Sequence, residues 1–147
     1  MELYATFFSS MLRIRIMTTW YDELKKPNFT PPKKVFGIVW AVLYLFILTS
    51  LALYFFAPSK PNMVATIATL IIHFTASFNW TGLFFNRKKI LPALFDIIVI
   101  DITLAIIIVL FFHVSTPAAL LLLPYLCWGI FATYLNWGIY RLNRPDL

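Results

Sequence analysis

The chain has 147 residues, of which 61% are hydrophobic and 12% are charged, and its formal net charge is +6. Soluble domains carry charge on about a quarter of their residues, so this chain lacks the polar side chains that would cover a water-exposed globule. The single cysteine, Cys127, excludes a disulfide framework and a multi-cysteine metal site. Length and composition therefore predict one domain of an all-α integral membrane protein.

The first predicted span covers residues 3–19 and is apolar but short. Only residues 3–12 are free of basic side chains, which gives a helix of about 15 Å, half the thickness of a bilayer core. Arg13 and Arg15 would each cost about 2.5–3.5 kcal/mol at the membrane centre, so they are expected to extend toward the interface. The sequence therefore predicts a first helix that is short or degenerate.

A charged, proline-rich loop follows at residues 20–34 and is called loop one. Pro27, Pro31 and Pro32 restrict it, and Thr30 is predicted to cap the next helix with Pro31 as its first residue. That second span is predicted at residues 35–57. Its aromatic residues recur at three-, four- and seven-residue spacing, which predicts that they share one face of the helix.

The third and fifth spans, predicted at 62–85 and 118–140, carry small and polar stripes at helical spacing. Such stripes lie against other helices or a cavity. In the third span, His73 is predicted to be hydrogen-bonded between helices rather than to bind haem. The stripe residues are Ala65, Thr69, His73, Ser77 and Thr81 in the third span, and Tyr125, Trp128, Ala132 and Asn136 in the fifth.

The fourth span, predicted at 90–112, contains two carboxyl groups. Asp96 and Asp101 are five residues apart, so they point about 140° away from each other on a helix and do not form a paired-carboxylate site. Asp96 is expected to have a structural role, pairing with Arg87, Lys88 or Lys89. Asp101 lies deeper, where a charge is costly, and is expected to be a neutral carboxyl hydrogen-bonded to the third span.

The basic residues fall almost entirely on one side of the five predicted spans. Eleven lie on that side and only Lys60 lies on the other, which by the positive-inside rule places loop one and the C-terminus in the cytoplasm and the N-terminus outside. They are therefore interpreted as topology signals with contacts to membrane lipid, not as a nucleic-acid site. The eleven are Arg13, Arg15, Lys25, Lys26, Lys33, Lys34, Arg87, Lys88, Lys89, Arg141 and Arg144.

Motifs for conventional catalysis are missing from the sequence. It has no Walker loop, GxGxxG, HExxH, Cys/His metal cluster or nucleophile elbow, and its polar loops are too short for a separate catalytic domain. The sequence therefore favours neither a hydrolase nor a nucleotide-driven pump, and it predicts no metal site and no intrinsic cofactor.

Three segments carry a resemblance to a known family. They are WYDELKKPNFTPP running into VFGIVWAVLY, NWTGLFF at the end of the third span, and PYLCWGIFATYLNWGIYRLN in the fifth. Over residues 20–143 the chain resembles the TspO/MBR family, the translocator proteins, tryptophan-rich sensory proteins or peripheral benzodiazepine receptors. The resemblance implies a bundle of five transmembrane helices, usually a homodimer, with a pocket covered by loop one.

The resemblance also implies a ligand class and a set of functions. The family binds porphyrins such as protoporphyrin IX or haem-like molecules, sterols and synthetic benzodiazepine-type ligands. Three functions stay open on this basis: a sensor or receptor of tetrapyrroles, an enzyme that degrades porphyrin in light, and a transporter of porphyrin or sterol-like metabolites. Composition and the lack of a presequence favour a bacterial inner membrane.

Residue by residue, the resemblance places ligand contacts in loop one and on three spans. Trp40 and Trp128 match the two tryptophans that the family links to porphyrin chemistry, and they are the catalytic candidates. Indole rings also offer broad apolar faces on which a flat porphyrin can stack. The full set of predicted ligand contacts is Trp20, Tyr21, Pro31, Trp40, Ser77, Trp80, Thr81, Trp128 and Ala132.

The chain departs from the family pattern at three places. Ser77 stands where family members often have asparagine, so the polar partner for a ligand is shorter here. The first span is short, lacks glycine and contains Arg13 and Arg15, which changes one wall of the implied pocket. The cholesterol-recognition pattern near the C-terminus is not met, because Tyr140 directly precedes Arg141 and Tyr134 lies too far away, so no sterol ligand is predicted.

Overall fold

The structure, a computed structural model, describes residues 20–144, and the first predicted span, 3–19, lies outside the described residues. Four helices follow loop one: α1 (Lys33–Phe55), α2 (Met63–Thr81), α3 (Ile90–Phe112) and α4 (Thr116–Asn143). A π-helical turn, Gly82–Asn86, extends α2. Each of these four helices, counting α2 with its π-helical turn, is long and apolar enough to cross a membrane, which confirms the prediction of an all-α membrane protein.

The helix ends differ from the predicted spans at loop one and at the end of the chain. The first four residues of loop one, 20–23, are helical. Helix α1 begins at Lys33 with Pro32 as its N-cap, so loop one ends at Pro32. The prediction that Thr30 caps this helix is wrong: its hydroxyl donates instead to the carbonyl of Pro27, 2.7 Å away, and closes a local turn. Helix α4 extends three residues beyond the predicted end, to Asn143, whose side-chain amide donates to the carbonyl of Ile139 at 2.7 Å.

The helices pack in an order set by α3 and α4. Helix α3 packs against α2 and α4, and α1 packs against α4. Pro117 lies in the first turn of α4, where Ser115 caps the helix by accepting a hydrogen bond from the amide of Ala118. Short connections make consecutive helices antiparallel, so loop one, the 87–89 turn and the end of α4 lie at one end of the bundle.

The end of the bundle away from loop one is densely packed. Tyr54 on α1 is stacked on Phe111 on α3, with ring centroids 4.3 Å apart, and both are fully buried. The small residues Ala118 and Ala119 let α1 approach α4, and the Ser50 hydroxyl donates to the carbonyl of Ala118 at 2.7 Å. Because this half is filled, any internal space must lie in the half near loop one.

Candidate functional site

A cavity of about 660 Å³ occupies the half of the bundle near loop one. All four described helices contribute to its wall: α1 through residues 33–47, α2 with its π-helical turn through residues 74–85, α3 through Ile97 and Ile100, and α4 through residues 125–139. Tyr21 of loop one closes it from above. The lining residues are Tyr21, Lys33, Phe36, Trp40, Tyr44, Ile47, Phe74, Ser77, Phe78, Trp80, Thr81, Phe84, Phe85, Ile97, Ile100, Tyr125, Trp128, Gly129, Ala132, Leu135, Asn136 and Ile139.

Most of the predicted ligand contacts meet in this cavity. The structure places seven of the nine in its wall: Tyr21, Trp40, Ser77, Trp80, Thr81, Trp128 and Ala132. The other two, Trp20 and Pro31, do not line it. Trp20 supports the wall from behind, because its ring packs edge-on against Phe84 with centroids 5.6 Å apart.

The two tryptophans that are catalytic candidates lie in different aromatic surroundings. Trp40 contacts Tyr44 and Tyr125, with ring centroids 5.6 and 6.0 Å away. Trp128 meets Phe36 edge-on at 5.3 Å. The Trp128 Nε1 is buried and has no hydrogen-bond partner among the residues that the structure describes, so it is a free donor in the wall.

Trp80 is fixed by a polar contact between helices. Its Nε1 donates to Oδ1 of Asn136 at 3.2 Å, and the Asn136 amide nitrogen donates to the carbonyl of Ile90 at 3.3 Å. The indole also stacks on Phe84 of the π-helical turn, with centroids 5.3 Å apart and an interplanar angle of 17°. Trp80 therefore presents a rigid aromatic face to the cavity.

His73 joins three helices behind the cavity. It is 1% exposed, its Nδ1 lies 3.0 Å from Oγ1 of Thr103 on α3, and its Nε2 lies 3.1 Å from Oη of Tyr125 on α4. This confirms the predicted hydrogen bonding between helices. Ser77 is tied to the same residue, because its hydroxyl donates to the carbonyl of His73 at 2.8 Å. With that hydrogen committed, the Ser77 oxygen is an acceptor in the cavity wall, within reach of the Tyr125 hydroxyl.

Loop one is anchored to the end of α4 by Asn143. The amide of Lys25 donates to Oδ1 of Asn143 at 3.1 Å, and Nδ2 of Asn143 donates to the carbonyl of Lys25 at 2.9 Å. The Asn143 side chain thus pairs with both the amide and the carbonyl of Lys25, as the backbone of a neighbouring β-strand would. The ring of Pro27 packs onto Gly138, where any side chain would collide with it.

Tyr21 lies at the loop-one end of the cavity, and the side chain of Lys26 lies over its ring. Its ring packs against Phe84 and Phe85, and the ammonium group of Lys26 lies 4.6 Å from its centroid. Burial, and secondarily the charge of Asp22, raises the pKa of the Tyr21 hydroxyl. Burial is also the largest cause that lowers the pKa of Lys26. Asp22 forms an exposed ion pair with Lys33 at the cavity mouth, with a separation of 2.6 Å.

The carboxyl groups of α3 lie at its contact with α4. The Thr133 hydroxyl donates to Oδ2 of Asp101 at 2.6 Å, so the expected bond from Asp101 to the third span is wrong and its partner lies on α4. The other oxygen, Oδ1, is buried without a partner among the described residues and lies beside the Cα of Gly129. Asp96 forms no ion pair with any other described residue, which contradicts the expected pairing with the basic 87–89 turn.

Several residues of the wall were not singled out from the sequence. Phe36, Phe74, Phe78, Phe84 and Phe85 were missed, because phenylalanine is common on lipid-facing surfaces and its spacing alone does not separate the two faces of a helix. Asn136 was placed on the correct stripe but its hold on Trp80 was not predicted. In the range 20–144 no group of three or more His, Cys, Asp or Glu side chains is arranged to bind a metal ion.

Helices that are long and apolar enough to cross a membrane, packed around an aromatic cavity, define an integral membrane protein. Comparison with known proteins agrees: the model of the TspO/MBR family matches residues 2–141. The chain belongs to the TspO/MBR family.

The alignments with individual relatives cover most of this chain and most of each relative. It is 36% identical to the tryptophan-rich protein TspO of Bacillus cereus over 95% of this chain and 91% of the relative. It is 40% identical to the protein of the same name from Archaeoglobus fulgidus, over 93% and 88% of the two chains. The human translocator protein is 31% identical over 85% of this chain and 75% of its own.

Proposed function

We propose that this protein binds tetrapyrroles and related flat hydrophobic ligands in the cavity and acts as a sensor or receptor of tetrapyrrole status. The observation that carries the proposal is an aromatic cavity of about 660 Å³ under a loop anchored at Asn143. Small-molecule sites typically measure about 300–1,000 Å³ and are lined mostly by apolar side chains. The name "tryptophan-rich sensory protein" of a relative from Cereibacter sphaeroides supports the sensing role.

The chemistry of the wall suits a planar aromatic molecule with a few polar groups. The rings of Trp40, Trp80 and Trp128 offer faces for stacking. The free Nε1 of Trp128 would donate to an acceptor on the ligand, and the oxygen of Ser77 would accept from a donor. Lys33 at the mouth is paired with Asp22, and an acidic substituent such as a porphyrin carboxylate would compete with Asp22 for it.

We also propose a membrane orientation, a ligand and partners for the protein. The N-terminus lies outside and the C-terminus in the cytoplasm of a bacterial inner membrane, so the cavity mouth faces the cytoplasm, as the placement of the basic residues favours. The protein carries no intrinsic cofactor; protoporphyrin IX or a haem-like molecule is its ligand. Its partners are membrane lipid and a second copy of the same chain in a homodimer.

The alternative function is light-dependent degradation of a bound porphyrin, with Trp40 and Trp128 as the reacting residues. The observation that favours it is that both indoles line the same cavity. Transport of porphyrin or sterol-like metabolites is a third function, which the name of the human relative, "translocator protein", suggests.

One experiment separates these functions. Protoporphyrin IX is titrated into the purified protein in detergent in the dark, tryptophan fluorescence is followed, and the saturated sample is then illuminated. Saturable quenching with an unchanged porphyrin spectrum supports a receptor, and a new absorption band in light supports the enzyme. Porphyrin flux into sealed vesicles, measured in parallel, identifies a transporter. Absence of saturable quenching would overturn the proposed ligand class.

A further inference from the structure

Two tyrosines flank Trp40 in the cavity wall, and their hydroxyl groups have different surroundings. Tyr44 is 58% exposed, and within the part of the chain that the structure describes its hydroxyl makes no hydrogen bond. Tyr125 is 6% exposed, and its Oη lies 3.1 Å from Nε2 of His73. Both rings contact the Trp40 indole, so the two tyrosines share that contact and differ in burial and in whether a base is within reach.

The hydrogen bonds around His73 fix which of its nitrogens carries the hydrogen. The Thr103 hydroxyl lies 2.8 Å from the carbonyl of Val99 and 3.0 Å from that of Ile100, so its single hydrogen is donated to the backbone. The Thr103 oxygen therefore accepts from Nδ1–H of His73. A neutral imidazole carries one N–H, so Nε2 has a free lone pair and accepts the hydrogen of the Tyr125 hydroxyl.

We propose that Tyr125 and His73 form a redox-active pair that accepts an oxidising equivalent from Trp40. In the first step a photoexcited aromatic ligand in the cavity takes one electron from Trp40, which gives a ligand radical anion and a tryptophan radical cation. Tyr125 then gives one electron to Trp40, and its phenolic proton moves to Nε2 of His73. Trp40 is neutral again, Tyr125 is a neutral radical and His73 is an imidazolium ion.

The cycle closes without any other reactant. An electron returns from the ligand radical anion to Tyr125, and the proton returns from Nε2 of His73 to the phenolic oxygen. Each group regains its original electrons and protons. The pair therefore stores the oxidising equivalent on Tyr125 in the cavity wall and protects Trp40 from irreversible oxidation.

The position of the base decides which tyrosine reacts. A phenol that loses an electron while keeping its proton becomes a high-energy cation, so oxidation in a buried site requires a proton acceptor at hydrogen-bond distance. The separation of 3.1 Å to His73 lies within the range of about 2.6–3.2 Å in which a side chain acts as such a base. Tyr44 contacts the same indole without that base, which makes it the natural control.

The test uses the ligand-free, full-length protein in detergent, so it does not depend on the proposed porphyrin ligand. Azide radicals produced by pulse radiolysis oxidise tryptophan, and transient absorption follows the loss of the tryptophanyl band and the rise of the tyrosyl band. The wild type and Tyr44→Phe are expected to show the transfer, with a slower rate in D₂O than in H₂O. Tyr125→Phe is expected to lose the transfer that starts at Trp40. All proteins in this test carry Trp137→Phe, because Tyr134 also contacts Trp137, with ring centroids 6.3 Å apart.

The matched variant for the base is His73→Gln. Its amide oxygen can still accept a hydrogen bond from Tyr125 but does not take up the proton, so the transfer is expected to slow about tenfold or more. Transfer at the wild-type rate in His73→Gln or in Tyr125→Phe would overturn the proposal. If His73→Gln does not fold, equal rates in H₂O and D₂O for the wild type would overturn it equally well.

A second experiment tests the pair with a ligand in the cavity. The oxidant is then the photoexcited porphyrin, so this part of the inference rests on the proposed function. Bound protoporphyrin is excited by a flash, and the tyrosyl signal is compared between the wild type and Tyr125→Phe. Absence of porphyrin binding would remove the proposed function but leave the radiolysis result to decide on the pair. Binding with a tyrosyl signal that survives Tyr125→Phe would overturn the pair and leave the binding function.

Discussion

The ring of Pro27 in loop one lies in the space that a side chain on Gly138 of α4 would occupy. Together with the paired hydrogen bonds between Lys25 and Asn143, this contact holds the cover of the cavity to the last helix. The two contacts differ in kind, one being steric and the other polar. They can therefore be tested separately.

Replacing Gly138 with alanine is expected to push Pro27 away and loosen loop one. Overpacking of this kind typically costs about 1–3 kcal/mol. We expect a lower free energy of unfolding, faster hydrogen exchange in loop one and faster ligand dissociation. Gly37→Ala is the control, because no atom lies within 4 Å of the added carbon there and alanine favours the helix. Equal protection of loop one in Gly138→Ala and Gly37→Ala would contradict the steric role.

Replacing Asn143 with aspartate is expected to remove half of the polar anchor. Aspartate keeps the acceptor for the Lys25 amide but loses the Nδ2 donor to the carbonyls of Lys25 and Ile139, and a hydrogen bond typically contributes about 0.5–1.5 kcal/mol. We expect faster exchange at the amides around residue 25, measured by hydrogen exchange and mass spectrometry, while α3 stays protected. If α3 exchanges faster as well, Asn143 stabilises the whole bundle and not loop one in particular.

Asp101 and Gly129 are expected to be strongly coupled. Any side chain at Gly129 would collide with Oδ1 of Asp101, so Gly129→Ala should destabilise the protein by about 1–3 kcal/mol. In the double variant Asp101→Ala, Gly129→Ala the added methyl group occupies space that the carboxyl has left, and part of the loss should be recovered. The measurement is a double-mutant cycle of unfolding in detergent, with a coupling energy of about 0.5–3 kcal/mol expected. Additive effects would show that the two residues do not compete for the same space.

The Tyr21 hydroxyl should make the cover of the cavity sensitive to alkaline pH. Its pKa is raised above the ordinary value of 10.0, so the unfolded loop loses the phenolic proton first and stability falls as the pH rises from about the ordinary value through the raised one. Lys26, whose pKa is lowered, acts in the opposite direction: its burial penalty fades as the pH rises from the lowered value toward 10.5. The Lys26 contribution is present in the wild type and in Tyr21→Phe, so the difference between them isolates Tyr21.

The expected result is a loss of loop-one protection in the wild type above pH 10 that is smaller in Tyr21→Phe. Proteolysis of loop one over this pH range, at constant ionic strength, measures it. The same alkaline loss in both proteins would mean that another group controls the opening.

The sequence predicted the helices well because membrane spans are specified locally. The fourth span was predicted at 90–112, and α3 is Ile90–Phe112. Aromatic and small residues at helical spacing also identified the correct faces at Trp40, Ser77 and Trp128. The error at Thr30 arose because a threonine before a proline suits both a helix cap and the turn that it closes with Pro27.

The sequence did not predict contacts between residues that are far apart along the chain. Lys25 and Asn143 are 118 positions apart, and nothing in either segment indicates the other. Asp101 was recognised as unusual, but its partner depends on how α3 is rotated against α4. The same holds for the link from His73 to Thr103 and Tyr125, which needs three helices at a common depth.

The cavity as a tetrapyrrole site is the central claim, and one pair of variants tests it most directly. Ala132 lines the cavity, whereas Ile130, two positions earlier on α4, is 57% exposed on the outer surface. Protoporphyrin IX is titrated in the dark into the wild type, Ala132→Phe and Ile130→Phe, with tryptophan fluorescence as the signal. We predict saturable quenching in the wild type and in Ile130→Phe, and affinity lower by about tenfold or more in Ala132→Phe, whose ring would fill the site. Equal affinity in all three proteins would place the porphyrin outside the cavity and contradict the account.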